Sequence, residues 1–419
     1  MKPLNRVVVT GLGAITPIGN TIEQYWSSLK NGVSGAGPIS RFDCSRFKTK
    51  FCCEVKGFEP SLYLDSKEIC SMDLYAQYAV AAATQAIRSS GLHTTNADKY
   101  RYGVIFSSGI GGLGSLQEEI VRFVQKDFNP RFSPHLIIKM ISNMAAGIIA
   151  MKYDFRGANY GVVSACASST NAIIEAFNLL RLGKADAIVV GGSEAAINAT
   201  AIGGFNSLQA LSKNNDHPES ASRPYDKSRD GFVLGEGAGA LVLETLDHAK
   251  TRSAPIIAEI AGGGMTADAY HYTLPQPEGR SVYKAMQLAI EEAEMSPDQI
   301  DYVNLHATST PAGDPPELMA VQQLFADSLN TLHVSATKSM TGHLLGAAGA
   351  IEAIATILAI KESMIPPTIN TEIIDPSINV KVNLTLQKAQ QKEVNAAISN
   401  TFGFGGQNAS VLIRKYREN

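Results

Sequence analysis

Three residues scattered along the chain have the types from which nucleophilic catalysis is built: Cys166, His306 and His343. Cys166 lies in Val163-Ser164-Ala165-Cys166-Ala167-Ser168-Ser169-Thr170, between a β-branched strand and a helix. At such a junction the amides of the helix N-terminus favour a thiolate. The turn also aims backbone N–H groups at one point, as an oxyanion hole requires. The small neighbours Ala165, Ala167 and Ser168 leave room for a substrate. A lone cysteine after a strand is ordinarily a small core residue, so its flanks alone decide nothing.

The histidines change that balance. His306 ends an apolar strand and opens His306-Ala307-Thr308-Ser309-Thr310-Pro311-Ala312-Gly313-Asp314; His343 lies within the run from Lys338 to Gly346, just before an apolar helix. Either one alone fits a core or capping histidine. Both, like Cys166, stand at strand-to-helix junctions, where α/β folds assemble their sites. Zinc is the rival reading, but these three residues contain no short-spaced ligand pair and the chain has no CxxC. One cysteine with distant histidines is a nucleophile pattern.

The elements that must position them alternate. Strands are expected at Arg6–Thr10, Gly103–Ser107, Gly161–Ala165, Ala187–Val190, Tyr302–His306 and Ile398–Phe402. Helices are expected at Asp73–Ser90, Ser168–Leu182, Gly279–Met295 and Ala347–Lys361. This is an α/β pattern with substantially parallel sheets. A weak echo divides the chain. The strand before Cys166 leads into an apolar helix, and the strand His333–Ala336 leads through Lys338 and His343 into another. Helices apolar all round belong in the middle of a structure. Two similar α/β halves, 1–255 and 256–419, are expected; chance likeness between Ala-rich helices is the alternative. Gly109-Ile110-Gly111-Gly112-Leu113-Gly114 formally matches GxGxxG, but the acidic residue expected about 20 positions on is missing. A tight turn lining a pocket fits it better than nucleotide binding. Gly11-Leu12-Gly13 fails the same pattern, because Thr16 stands where a third glycine belongs.

With 419 residues and a net charge of -3, the chain carries no global basic field that would call for nucleic acid or a membrane surface. The apolar stretch Leu344–Ile360 holds Glu352 and falls short of a membrane span. Adjacent Cys52 and Cys53 suggest reduced thiols rather than a disulfide framework, so a soluble cytoplasmic protein is expected. The polar segment Lys213–Arg229 reads as a surface loop or partner contact.

The stretches around Cys166, His306 and Lys338–Gly346, with Asn400-Thr401-Phe402-Gly403-Phe404-Gly405-Gly406, resemble the β-ketoacyl-acyl carrier protein synthases of the elongating type II subgroup. The resemblance runs from Val8-Val9-Thr10-Gly11 to the final strand. It implies a thiolase-like five-layered αβαβα sandwich built from two similar halves. It also implies decarboxylative Claisen condensation of malonyl-acyl carrier protein with an acyl group on Cys166, in fatty acid elongation. Cys166 would be acylated, and the N–H groups of Cys166 and Phe404 would form the oxyanion hole, with Phe404 as gate. His306 and His343 would bind the malonyl thioester carbonyl, with Lys338 and Glu352 orienting them and setting their protonation. Thr308 and Thr310 would contact the phosphopantetheine arm, and Ile110 and Phe205 would contact substrate. No cofactor is implied beyond the phosphopantetheine of acyl carrier protein, the expected partner of a homodimer.

Departures keep two alternatives open. Ala307 stands where glycine is common, and Gln407 where threonine is common. Around Asp65–Ser71 only Lys67 remains of the usual basic docking residues; Arg122, Lys126, Arg131 and Lys139 offer another basic surface. A dedicated ketosynthase of a type II polyketide or polyene pathway, paired with a second synthase-like subunit, is one alternative. A non-catalytic carrier-protein-binding subunit is the other.

Overall fold

The structure is a computed structural model describing residues 4–94 and 98–418. The strands of its main sheet are β1 (Val7–Ile15), β2 (Tyr102–Ser107), β3 (Asn159–Tyr160), β4 (Ala187–Glu194), β5 (Gly237–Thr245), β6 (Ala258–Ala267), β7 (Tyr302–Asn304), β8 (His333–Ser335), β9 (Asn383–Leu384), β10 (Ala396–Gly403) and β11 (Gln407–Arg414). Together they form one eleven-stranded sheet, in the order β9-β8-β7-β10-β11-β6-β1-β5-β4-β2-β3.

That order contains a duplication. Strands β1 to β5 lie as β3-β2-β4-β5-β1, and β6, β7, β8, β10 and β11 lie as β8-β7-β10-β11-β6, the same arrangement. Orientation repeats as well. The second strand of each set is parallel to its two neighbours, and the last is antiparallel to both of its own. The two first strands, β1 and β6, pair antiparallel and join the halves.

Helices fill three layers. On the outside of the first half lie α1 (Leu74–Ser90) and α2 (Met144–Tyr153), sharing one core with the outer faces of β1, β2, β4 and β5. In the middle lie α3 (Ser168–Arg181) and α4 (Ala348–Glu362), packed on each other and on strands of both halves. Outside the second half lie α5 (Arg280–Glu292) and α6 (Asp314–Leu324). The result is a five-layer αβαβα sandwich.

Glycines explain the close fit of the outer layers. A Cβ on Gly11 or Gly13 of β1 would stand 2.1 or 2.0 Å from the Ala86 or Ala82 carbonyl oxygen of α1. In the second half, Gly262 and Gly264 of β6 meet Ala289 and Ala285 of α5 at 2.2 and 1.9 Å. The same device recurs at the same topological place, and it accounts for the Gly11-Leu12-Gly13 motif as packing.

The caps fall where the side chains require. Asp73 accepts from Tyr75 N at the start of α1, and Gly91 ends it at φ +69. Helix α4 is buried from Ala348 to Ile360, as an all-apolar helix must be. Among the described residues no helix is long and apolar enough to cross a membrane.

Three expectations need correction. The strand expected at Gly161–Ala165 ends at Tyr160, because residues 161–164 leave the sheet to reach the turn at Cys166. His306 stands two residues beyond its strand, which ends at Asn304. The segment Lys213–Arg229 is a surface loop only in its first part. Its second part is drawn inward, with Arg229 bonded to Asp375 at 2.7 Å and Tyr225 fully buried.

Candidate active site

Cys166 is the middle residue of a 3₁₀ turn, Ala165–Ala167, that runs directly into α3. Ala165 enters the turn at φ +50, a costly conformation for a residue with a Cβ. Hydrogen bonds hold it there: Ser164 N donates to Ser168 Oγ at 2.9 Å, and Ser168 Oγ donates to Ala165 O at 2.7 Å. Gly403 lies alongside, where a Cβ would stand 2.8 Å from Ser164 O and 3.2 Å from Cys166 N. The N–H groups of Phe404 and of Cys166 itself both favour the thiolate, as does the charge of Lys338. Burial outweighs them and pushes the thiol up to about 12. The expected depressed thiol is therefore corrected: helix-end amides are present, but the site is too dry for them to win. Ala165 does line the space above Cys166, whereas Ala167 and Ser168 are fully buried in the core and leave no room there.

His306 and His343 face each other edge to face, with ring centroids 5.3 Å apart. The backbone after β7 is held by Glu317 of α6, whose two oxygens accept His306 N and Ala307 N, each at 2.8 Å. His343 is strapped to the chain at Leu234 by its N–H to Val233 O at 2.8 Å and by Gly235 N to its carbonyl at 2.9 Å. Both imidazoles are held well below the usual histidine range, chiefly by burial and then by the charge of Lys338. Both are therefore neutral. The Nδ1 of each is buried without a hydrogen-bond partner.

Lys338 and Glu352 line no part of the cavity. They form a buried ion pair with both side chains 1% exposed, and burial raises the Glu352 carboxyl to about 7. Taking these charges from water costs several kcal/mol per ion. On the same helix as Glu352, Ile351, Ile354, Ile357, Leu358 and Ile360 are buried, a contribution of roughly 10 kcal/mol. The helix can carry the charge.

These groups converge on one cavity of about 450 Å³. Cys166, His306, His343, Phe404, Thr308, Thr310, Ile110 and Phe205 all line it, so eight of the ten expected site residues share a single space. Gly109 and Ile110 contribute the turn expected of the Gly109–Gly114 loop. Thr308 and Thr310 are joined through their hydroxyls at 3.1 Å, and Asp314 accepts Ser309 N and Thr310 N at 3.1 and 3.3 Å. The turn after Phe404 carries Gly405 and Gly406 at φ +88 and +73, and it is pinned to residues 268–272 by Gly405 N to Tyr272 O and Asp268 N to Gly406 O, both 2.7 Å. Gln407, which follows, has its Oε1 buried without a partner. Sequence reasoning passed over Glu317 and the role of Asp314. Acidic residues in the first turn of a proline-started helix just after His306 were the available signal. Among the described residues no cluster of three His, Cys, Asp or Glu could hold a metal ion.

Residues 4–249 match the model for the beta-ketoacyl synthase N-terminal domain, and residues 257–372 match that for the beta-ketoacyl synthase C-terminal domain. The chain belongs to the β-ketoacyl synthase family. Among relatives of this synthase are proteins named 3-oxoacyl-[acyl-carrier-protein] synthase 2 from Synechocystis sp., 46% identical, and from Coxiella burnetii, 44% identical, each over 98% of both chains. Among solved structures, the synthase is similar to the ishigamide ketosynthase/chain length factor, at 32% identity and a TM-score of 0.92. A type II PKS acyl-carrier protein in complex with its ketosynthase bound to the hexaketide, AntDE:AntF, matches at 29% and 0.91. Both alignments cover 99% of this chain and 100% of the other.

Proposed function

We propose that this synthase is a 3-oxoacyl-acyl carrier protein synthase, an acyltransferase that condenses malonyl-carrier protein with an acyl group held on Cys166. The observation that carries the reading is the convergence of Cys166, two neutral histidines and the Phe404 N–H on one cavity. The full-length relatives at 43–46% identity support it.

In the first half-reaction Cys166 Sγ attacks the acyl thioester, and the Cys166 and Phe404 N–H groups receive the tetrahedral oxyanion. The phosphopantetheine thiol leaves with the proton that Cys166 gives up. In the second, malonyl-carrier protein enters with its thioester oxygen between the imidazoles of His306 and His343. Breaking its carboxylate C–C bond releases carbon dioxide and leaves an enolate, whose oxygen the two N–H donors stabilise. The enolate carbon attacks the acyl-cysteine carbonyl, and Cys166 is expelled as a thiolate that takes up a proton from solvent to restore the thiol. Products are 3-oxoacyl-carrier protein, carbon dioxide and free carrier protein. Neutral imidazoles suit this role, because each offers one N–H without a full positive charge to be buried. Burial, helped by the charge of Lys338, keeps both histidines in that state. Thr308 and Thr310 line the cavity, where they would contact the phosphopantetheine arm.

Residues 1–255 supply the nucleophile and 256–419 both histidines, so neither half works alone. The cytoplasm is the proposed compartment. A homodimer is proposed because Ile120, Val121, Val124, Phe128 and Ile137 are exposed together along residues 120–137. A dedicated polyketide ketosynthase is the second reading, favoured by the likeness to ketosynthase/chain length factor structures. Turnover assays that pair the enzyme with a fatty-acid or a pathway-specific carrier protein separate the two. Turnover with the fatty-acid carrier supports the first reading, and strict dependence on the other supports the second.

A further inference from the structure

Glu194 ends β4 and is fully buried, yet it does not line the cavity. Each of its oxygens accepts two hydrogen bonds. Oε1 takes the Ser108 hydroxyl at 2.8 Å and the Ile110 N–H at 3.2 Å. Oε2 takes the Gly109 N–H at 2.9 Å and the Gly346 N–H at 3.0 Å. The donors come from both halves of the molecule. Gly109 and Ile110 form one part of the cavity wall, and Leu345 forms another.

Gly346 holds the place in the second half that Cys166 holds in the first. Each is the middle residue of a 3₁₀ turn, entered at Ala165 with φ +50 or at Leu345 with φ +47, and each turn runs straight into a central helix. A side chain at 346 is barred, since its Cβ would stand 2.3 Å from Gly109 N and 2.8 Å from Glu194 Oε2. The residue matching Cys166 in the second half is thus Gly346. In the first half the elbow N–H faces the Cys166 sulfur; in the second it is given to a carboxyl group of the protein itself.

We propose that Glu194 is a positioning residue that determines acyl specificity: seated in the elbow that lacks a nucleophile, it pins the Gly109-Ile110 turn to the Leu345-Gly346 turn and so fixes the shape of the acyl pocket. The inference rests on the acyl-transfer reading above. A neutral amide cannot do the same work. In one orientation Glu194→Gln turns its NH₂ toward the Gly109 and Gly346 N–H groups, in the other toward Ile110 N–H, and at least one buried donor is orphaned. The two turns then part, and the pocket between them changes. None of Cys166, His306 and His343 hydrogen-bonds to Glu194; its charge is a lesser cause of the raised Cys166 thiol, and losing it acts on acylation by every donor alike.

The test is the rate of Cys166 acylation, followed by intact-protein mass spectrometry, with saturated acyl-carrier proteins of short and long chain. Glu194→Gln is expected to change the long-to-short rate ratio about tenfold, the size of effect that a pocket altered by a methylene group produces. Ser108→Ala keeps the carboxyl group but removes its hydroxyl donor and the acceptor of the Gly111 N–H in the same turn; it is expected to move the ratio the same way by less, and it decides the matter if Glu194→Gln does not fold. An unchanged ratio, or equal slowing with every donor as general loosening would cause, overturns the proposal. A wild-type enzyme that no donor acylates overturns the acyl-transfer reading and this proposal together. An acylated wild type with an unchanged ratio in the variants overturns this proposal alone.

Discussion

Lys338 Nζ donates to Glu352 Oε1 in a pair sealed from solvent, and the same ammonium lowers the proton affinity of both His306 and His343. One buried charge thus ties the central helix to the state of two imidazoles. Removing it leaves Glu352 uncompensated. Lys338→Met is expected to cost about 3–5 kcal/mol in denaturant unfolding. Lys338→Met with Glu352→Gln should regain most of that stability without regaining condensation. A single substitution costing under about 1 kcal/mol would show the pair to be a solvated contact.

The depressed histidines give a pH dependence of defined sign. In the unfolded chain they titrate near 6.5, whereas in the fold they stay neutral well below that. Below pH 6.5 the unfolded state takes up the protons, so these two residues weaken the fold there and contribute nothing above it. Replacing both by Asn should make stability fall less steeply below pH 6.5 than in the wild type, as measured by denaturant midpoints at each pH. Parallel slopes would mean that the histidines titrate normally in the fold.

The close approach of β6 to α5 is tested at Gly264, where a Cβ would lie 1.9 Å from Ala285 O. Backbone cannot move aside as a flexible side chain can. Gly264→Ala is expected to destabilise by about 3 kcal/mol, and Gly13→Ala in the first half should do the same, since its Cβ would meet Ala82 O at 2.0 Å. Thermal melts of the two variants that differ little from the wild type would contradict the matched packing of the two halves.

The cysteines differ in access. Cys70 is exposed, whereas Cys52 and Cys53 are buried, and burial drives both thiols upward, Cys53 to about 12. A haloacetamide should label Cys70 first and reach Cys52 and Cys53 only on unfolding, read by peptide mapping. Early labelling of Cys52 or Cys53 in the native protein would contradict their burial.

Local pattern carried much of the fold. Asp73 and Gly91 bracket α1 within one residue of the expected span, and the apolar runs after Cys166 and Gly346 fold as the two central helices. The strand before Cys166 was over-read, because β-branched Val162 and Val163 favour a strand while the turn at Ala165 pulls them out of the sheet. Cys166, His306 and His343 were legible as residue types at strand ends. Glu317 and Asp314 show in the sequence only as acids in the first turn of a proline-started helix, and Glu194 does not show at all, since it accepts backbone N–H groups that only the tertiary fold brings to it. The state of the Cys166 thiol was also beyond the sequence, because it depends on how dry the cavity is rather than on its neighbours in the chain.

The most direct measurement is peptide mapping by mass spectrometry after incubation with acyl-carrier protein. Wild-type protein should gain the mass of one acyl group on the peptide containing Cys166, and folded Cys166→Ala should gain none and no longer condense. No adduct on the folded wild type, an adduct on another residue, or condensation that survives in Cys166→Ala would contradict Cys166 as the nucleophile.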